Sequence, residues 1–109
     1  MDRDMQVIKK IHSECEFIVN ALKDISHEEF LNNETLKRAM SMSLLNIGEL
    51  AKKLSDNFHS KHKNIPLKEI KGMRDHVAHG YFHLSFEIIW TTINKRIPEL
   101  LAQTTKIIT

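Results

Sequence analysis

Hydrophobic residues recur every three or four positions over most of the chain, which is the spacing of amphipathic α-helices. In the first part of the chain they are Met5, Ile8, Ile11, Cys15, Ile18, Val19 and Leu22. This run predicts a helix over residues 2–23. A longer run starts after Asn33 and continues to Phe58, which predicts one long second helix, and the polar stretch HSKHKNIP follows it as a connector.

Capping residues mark the other elements. Ser26 is suited to cap a short helical turn, and Pro66 fits the first turn of a helix that stops at Gly80. Ser85 can cap a final helix, which we expect Pro98 to kink or restart. The pattern therefore predicts an all-α, up-and-down bundle of four to five helices with short connections.

The apolar face of the long second helix is wider than one packing surface needs. Met42 and Leu45 extend it beyond the stripe that contains Leu44 and Ile47. This surplus indicates a second packing partner, such as another copy of the chain. We therefore expect a homodimer.

Composition and charge narrow the class of protein. A chain of 109 residues with 3 Gly and 2 Pro is expected to form one helical domain, residues 1–109. The net charge of +2 is too small to indicate a nucleic-acid binder by itself, although it permits RNA. Cys15 has no cysteine partner in the chain, which favours a reducing cytoplasm. Neither a membrane span nor a secretory leader is apparent, so we expect neither in this protein.

The stretch GMRDHVAHGYF, residues 72–82, departs from the plain helical pattern. Residues five apart in a helix are separated by about 140° around its axis, so Arg74 and His79 would not share a face. Either the helix ends between them or two chains meet. Gly80 favours the first option, because a helix that closes there could swing His79 and Tyr81 back toward Arg74.

The position of Arg74 at the rim of the buried face requires an anionic partner or a phosphate-like ligand. Asp75 and Glu49 are the candidates for holding it at rest. Cleavage of RNA without a metal needs a proton acceptor for the 2′-hydroxyl, an acid for the leaving oxygen and fixed positive charge at the phosphate. His79 and Arg74 have the chemistry for these roles, and we expect no cofactor such as a metal ion.

Structural interpretations of the same residues stay open at this point. An arginine and a histidine near a helix end often form only a cap and a salt bridge. His76, His79 and His83 would have metal-ligand spacing only if the helix ran straight through Gly80. We therefore predict no metal site.

Three further residues have two interpretations each. Tyr81 could be a core or dimer-contact residue whose hydroxyl points into a cleft. Asn46 and Glu49 could support Arg74 or could belong to a polar helix stripe. The residues themselves favour neither interpretation.

The spacing Arg74, four residues, His79, one residue, Tyr81 resembles the R-x-x-x-x-H-x-Y signature of the HepT-like toxins in the HEPN superfamily, with polar Asp75 after the arginine. The segments LLNIGELAKKLS, IPLKEIKGMRDHVAHGYF and FEIIWTTINKRIPEL are also similar to that family. The resemblance implies a HEPN-type homodimer in which two motifs face each other across a cleft. It also implies a metal-independent endoribonuclease in which Arg74 and His79 are catalytic. From their positions in the sequence, we expect Asp75, Glu49 and Asn46 to support this site.

The same resemblance implies a type VII toxin–antitoxin system. A cognate minimal nucleotidyltransferase (MNT) antitoxin would neutralise the toxin by transferring AMP to Tyr81. The alternative is a non-catalytic helical partner, or substrate-binding subunit, of such a nucleotidyltransferase. Both functions would use the same exposed motif, and the sequence does not separate them.

Overall fold

Six α-helices and one 3₁₀ turn make up the part of the chain, residues 2–109, that the computed structural model describes. Their bounds are α1 Arg3–Ala21, α2 His27–Leu31, α3 Glu34–Ala51, α4 Asp56–Lys61, α5 Leu67–Ala78, the 3₁₀ turn Tyr81–His83 and α6 Phe86–Ile108. The four long helices α1, α3, α5 and α6 form the bundle, and α2 and α4 are short connecting helices. The all-α prediction is confirmed.

The core lies where α3 packs between α1 and α5 and where α1 packs against α6. Fully buried side chains from four helices meet there, among them Ile18, Phe30, Met40 and Ile89. Removing a side chain of this size from water contributes about 1.5–3 kcal/mol. The three-and-four spacing of the apolar residues is therefore explained by this core.

Side-chain caps start most of the helices as expected. Ser26 and Glu29 form a reciprocal capping box at α2, and the Asn33 side chain accepts from the Leu36 amide at the start of α3. Ser85 caps α6 in the same way. These caps satisfy amide groups that have no partner within their own helix.

The predicted long second helix is interrupted. It ends at Ala51, and a separate helix, α4, begins after Ser55 and carries Phe58. Ser55 caps α4 and also donates its amide and hydroxyl to the Asp4 carboxylate of α1. Leu54 and Phe58 stay buried across the break, so the hydrophobic pattern continues although the helix does not.

The expected restart at Pro98 is also wrong, because α6 is one helix from Phe86 to Ile108. The expected kink there stays a prediction. Pro98 and Asn94 both lie on the exposed side of α6. Proline deprives the Asn94 carbonyl of its helical donor, and on this side of the helix water can replace that donor. Within residues 2–109, no helix combines the length and the apolar character needed to cross a membrane.

Candidate functional site

Arg74 lies where α5 crosses α3 at very short range. A Cβ atom added to Gly48 of α3 would lie 2.0 Å from the Cβ of Arg74 and 3.3 Å from its Cα. Only glycine fits this crossing. Gly48 was not among the predicted site residues, although a glycine inside a strong helical pattern is a signal of close backbone approach.

The guanidinium of Arg74 is held by two carboxylates. Its Nε donates to Oε1 of Glu49, and its Nη1 donates to Oδ1 of Asp75 over 3.1 Å. These hydrogen bonds, first that to Glu49 and then that to Asp75, raise the pKa of Arg74 above its usual value. The side chain is 27% exposed. The predicted resting contacts of Arg74 with Glu49 and Asp75 are therefore present, at the predicted rim position.

His79 is the C-cap of α5, and its backbone is still helical at φ −68° and ψ −15°. The last residue of α5 is Ala78, but the His79 amide still donates to the Asp75 carbonyl over 3.1 Å, so His79 continues the helical geometry. The two side chains keep a separation of about 140° around the α5 axis. His79 is exposed, and its ring lies 6.2 Å from that of His83. The expectation that the turn swings His79 back toward Arg74 is wrong within one chain.

Gly80 does stop the helix, with a φ of +130° that side-chain-bearing residues rarely adopt. The 3₁₀ turn that follows places Tyr81 at the amino-terminal end of α3, where its hydroxyl donates to Glu34. Glu34 and Glu49 are separated by about 22 Å along the α3 axis, at 1.5 Å per residue. The expectation that Tyr81 lies at the rim of the Arg74 cleft is therefore wrong for a single protomer.

Charged and aromatic side chains enclose Tyr81 at this second position. The Arg38 guanidinium lies 4.5 Å from the centre of the Tyr81 ring, and the Phe86 ring lies 5.4 Å from it. Burial, and then the hydrogen bond to Glu34, raise the pKa of Tyr81. The hydrogen bond from Tyr81 lowers the pKa of Glu34, and Lys37 and Arg38 lower it further.

Sequence reasoning did not find Glu34 and Arg38. Their spacing of four residues, glutamate before arginine, indicates a helical ion pair, and the structure contains it. The spacing of residues along α3 does not indicate, however, that Tyr81 of the distant 3₁₀ turn packs on the Glu34–Arg38 pair.

Asn46 lines a groove beside the ion pair of Arg74 and Glu49. Asn46 is exposed, and this groove of about 520 Å³ between α1 and α3 is also lined by Glu49 and the lysines Lys9, Lys10 and Lys53. Within the described residues Asn46 makes no hydrogen bond to Arg74. Glu49 belongs both to this groove and to the ion pair of Arg74.

No three His, Cys, Asp or Glu side chains are grouped to hold a metal ion in residues 2–109. The turn at Gly80 lies between His83 and the two earlier histidines, His76 and His79. His76 is half-buried, and its Nε2 atom is buried with no hydrogen-bond partner in the described chain.

Comparison with known proteins shows the family to which the chain belongs. Residues 11–107 match the model of a family named HepT-like, which is described as "Ribonuclease HepT-like". The chain belongs to the ribonuclease HepT-like family. As a HepT-like protein of the HEPN superfamily, it has the expected HEPN-type helical bundle. No solved structure matches the chain.

Relatives of this HepT-like chain carry ribonuclease names. A protein named "Putative RNase" from Caldanaerobacter subterraneus subsp. tengcongensis is 46% identical over 101 residues, 93% of this chain and 90% of the relative. Another "Putative RNase", from Methanocaldococcus jannaschii, is 41% identical over 84% of this chain and 78% of its own length. A "Probable ribonuclease HepT" from Thermococcus cleftensis is 31% identical over 85% of this chain and 84% of its own length.

Proposed function

We propose that this HepT-like protein is a metal-independent endoribonuclease, formed by a single domain over residues 1–109. The observation that carries the proposal is the environment of Arg74. Its guanidinium is permanently charged, partly exposed and hydrogen-bonded to two carboxylates. A phosphodiester offers the same pair of oxygens as a carboxylate and can replace one of them. Family membership supplies the class of reaction.

In this mechanism Arg74 binds the scissile phosphate and stabilises the charge that develops on its oxygens. His79 takes the proton of the 2′-hydroxyl as that oxygen attacks phosphorus. The bond from phosphorus to the 5′-oxygen breaks, and a protonated histidine gives the leaving oxygen its proton. The products are a 2′,3′-cyclic phosphate and a 5′-hydroxyl. The requirement for a 2′-hydroxyl makes RNA, and not DNA, the substrate.

The proposed active unit is a homodimer. Because Arg74 and His79 diverge by about 140° around α5, one protomer does not aim both groups at one phosphate. A second copy facing the first would supply the missing histidine and a second arginine. Met42 supports this arrangement, because it is 56% exposed on the wide apolar face of α3.

We further propose that the protein is the toxin of a type VII toxin–antitoxin system in the cytoplasm. Its partner would be a minimal nucleotidyltransferase (MNT) that uses ATP and magnesium to attach AMP to Tyr81. The bulk and charge of the nucleotide would then interfere with RNA binding. Since Tyr81 lies beside Arg38 and far from Arg74 of its own protomer, the added phosphate would pair first with Arg38.

The test is cleavage of single-stranded RNA by purified wild type, Arg74→Ala and His79→Ala, with Lys68→Ala as an exposed control on the same helix. Each of the first two substitutions should lower the rate constant by about a hundredfold or more, because each removes a transition-state contact. Lys68→Ala should cleave like wild type. Activity should persist in EDTA.

Equal activity of all the variants would place the site elsewhere. A reaction that EDTA abolishes would favour a histidine–metal site. A wild type that binds the nucleotidyltransferase but cleaves no RNA would favour the alternative function, a non-catalytic partner of that enzyme.

A further inference from the structure

A compact cluster of charged side chains surrounds the hydroxyl of Tyr81. One oxygen of the Glu34 carboxylate, Oε2, accepts from this hydroxyl and also from Nε of Arg38 over 2.9 Å. Its other oxygen lies 3.5 Å from Nζ of Lys37. The hydroxyl of Tyr81 is thus fixed against a carboxylate that two cations hold in place.

This cluster is open to another macromolecule. The side chains of Glu34 and Arg38 are 56% and 59% exposed. Phe82, the next residue after Tyr81, is 88% exposed. The aromatic ring of Tyr81 is packed against Phe86, so the hydroxyl is held at a defined place on an accessible surface.

We propose that Glu34 and Arg38 form an acceptor site for nucleotide transfer, in which Glu34 receives the proton of Tyr81 and Arg38 binds the transferred phosphate. The inference rests on the proposed function, in which Tyr81 is the residue that receives AMP. It adds two residues of this chain to a reaction otherwise assigned to the partner enzyme.

In the transfer step the Tyr81 oxygen attacks the α-phosphorus of ATP. A new oxygen–phosphorus bond forms while the bond from the α-phosphorus to the bridging oxygen of pyrophosphate breaks. The hydroxyl proton passes to the Glu34 carboxylate, with which it already forms a hydrogen bond. Pyrophosphate is the leaving group. A carboxylate that orients the attacking hydroxyl and accepts its proton is a recurring part of phosphoryl transfer.

After transfer the interactions of the cluster must change. The Tyr81 oxygen has lost its proton and no longer donates to Glu34, and the new phosphodiester carries a negative charge that the carboxylate repels. Arg38 already lies over the Tyr81 ring, so it can exchange Glu34 for the phosphate, with Lys37 nearby. Arginine suits this exchange because its fork matches phosphate oxygens in pairs.

The experiment uses the full-length protein, the cognate nucleotidyltransferase, ATP and magnesium. Single-turnover rates of AMP transfer are followed by intact mass, and peptide mapping identifies the modified residue. The variants are Glu34→Gln, Glu34→Asp and Arg38→Gln. Matched controls are Glu28→Gln on the exposed surface of α2 and Lys23→Gln after α1.

We expect Glu34→Gln to slow transfer to Tyr81 by at least about tenfold, because glutamine keeps the shape but cannot accept the proton. Glu34→Asp keeps a carboxylate and should recover part of the rate. If Glu34 had only a structural role, this recovery would not be expected. Arg38→Gln should also slow transfer. Both controls should react like wild type, and far-UV circular dichroism should show an intact bundle in every variant.

Transfer to Tyr81 at the wild-type rate in both Glu34→Gln and Arg38→Gln would overturn this inference and leave the proposed function intact. A wild type that receives AMP at another residue, or at none, would overturn the proposed regulation at Tyr81 as well. If AMP transfer is as slow in Glu34→Asp as in Glu34→Gln, the proton-acceptor role of Glu34 is also contradicted.

Discussion

At the scale of single residues, Arg74 combines a permanent charge with partners that can be exchanged. Glu49 and Asp75 hold its guanidinium from one side, and the side chain still reaches solvent. Exposed ion pairs of this kind contribute little to stability, because water and salt screen them. These ion pairs are therefore weak as a structural clamp, and under the proposed function they would be a resting position from which Arg74 binds a phosphate.

Cys15 gives a residue-scale prediction about reactivity. Its side chain is fully buried, and this burial raises the pKa of the thiol to about 12. Only the thiolate reacts with disulfide reagents, and near pH 8 its population should be below about one in a thousand. The native protein should therefore stay unlabelled by a chromogenic disulfide reagent at pH 8 and should react at once in concentrated guanidinium chloride. Rapid labelling of the native protein would show that the core around Cys15 is open.

The contacts of single residues were predictable only where they are local or simple in geometry. The rim position of Arg74 and its carboxylate partners followed from helix spacing and from the need to pair a charge. The positions of His79 and Tyr81 did not follow. A C-cap residue can stay helical, as His79 does, and the direction of the chain after Gly80 depends on packing against α3.

At the scale of elements, the site depends on the close crossing of α3 and α5. Gly48 makes this crossing possible, and the Arg74 backbone lies against it. Helices usually pack with axes 8–10 Å apart, depending on the side chains at the contact. A glycine at the contact therefore sets both the closeness of the two helices and the height of Arg74 above α3.

Gly48→Ala should destabilise the protein by about 1–3 kcal/mol, because the added methyl group forces the helices apart. Gly72 of α5 is a matched control, since a Cβ there meets nothing within 4 Å. Gly72→Ala should stabilise the helix by about 0.5–1 kcal/mol. Urea unfolding followed by circular dichroism measures both changes. Equal stability of the two variants would contradict the close crossing.

Most elements could be predicted because helix starts have chemical signals, such as Ser26, Asn33 and Ser85. The break between Ala51 and Asp56 was missed because Leu54 and Phe58 continue the hydrophobic period across it. The serine that caps α4, Ser55, was the available signal. Pro98 was overestimated as a breaker, since its cost depends on whether the freed carbonyl faces water.

At the scale of the whole molecule, the proposed ribonuclease site would be incomplete in one protomer. Arg74 and His79 point in different directions from α5, and Tyr81 lies near the far end of α3. The all-α bundle was predictable from the pattern of the chain. The relation between two copies was not, because periodicity reports which residues are apolar and does not report which protomer covers them.

The central claim, a ribonuclease site shared by two copies, is tested most directly by mixing two inactive variants. In a two-fold symmetric dimer, an Arg74→Ala protomer paired with a His79→Ala protomer retains one intact arginine and one intact histidine across the cleft. After subunit exchange, verified by native mass spectrometry, the mixture should cleave RNA faster than either variant alone, since only the mixed dimers bring an Arg74 and a His79 to the same cleft. A mixture that exchanges fully and stays as inactive as each variant alone would contradict the account.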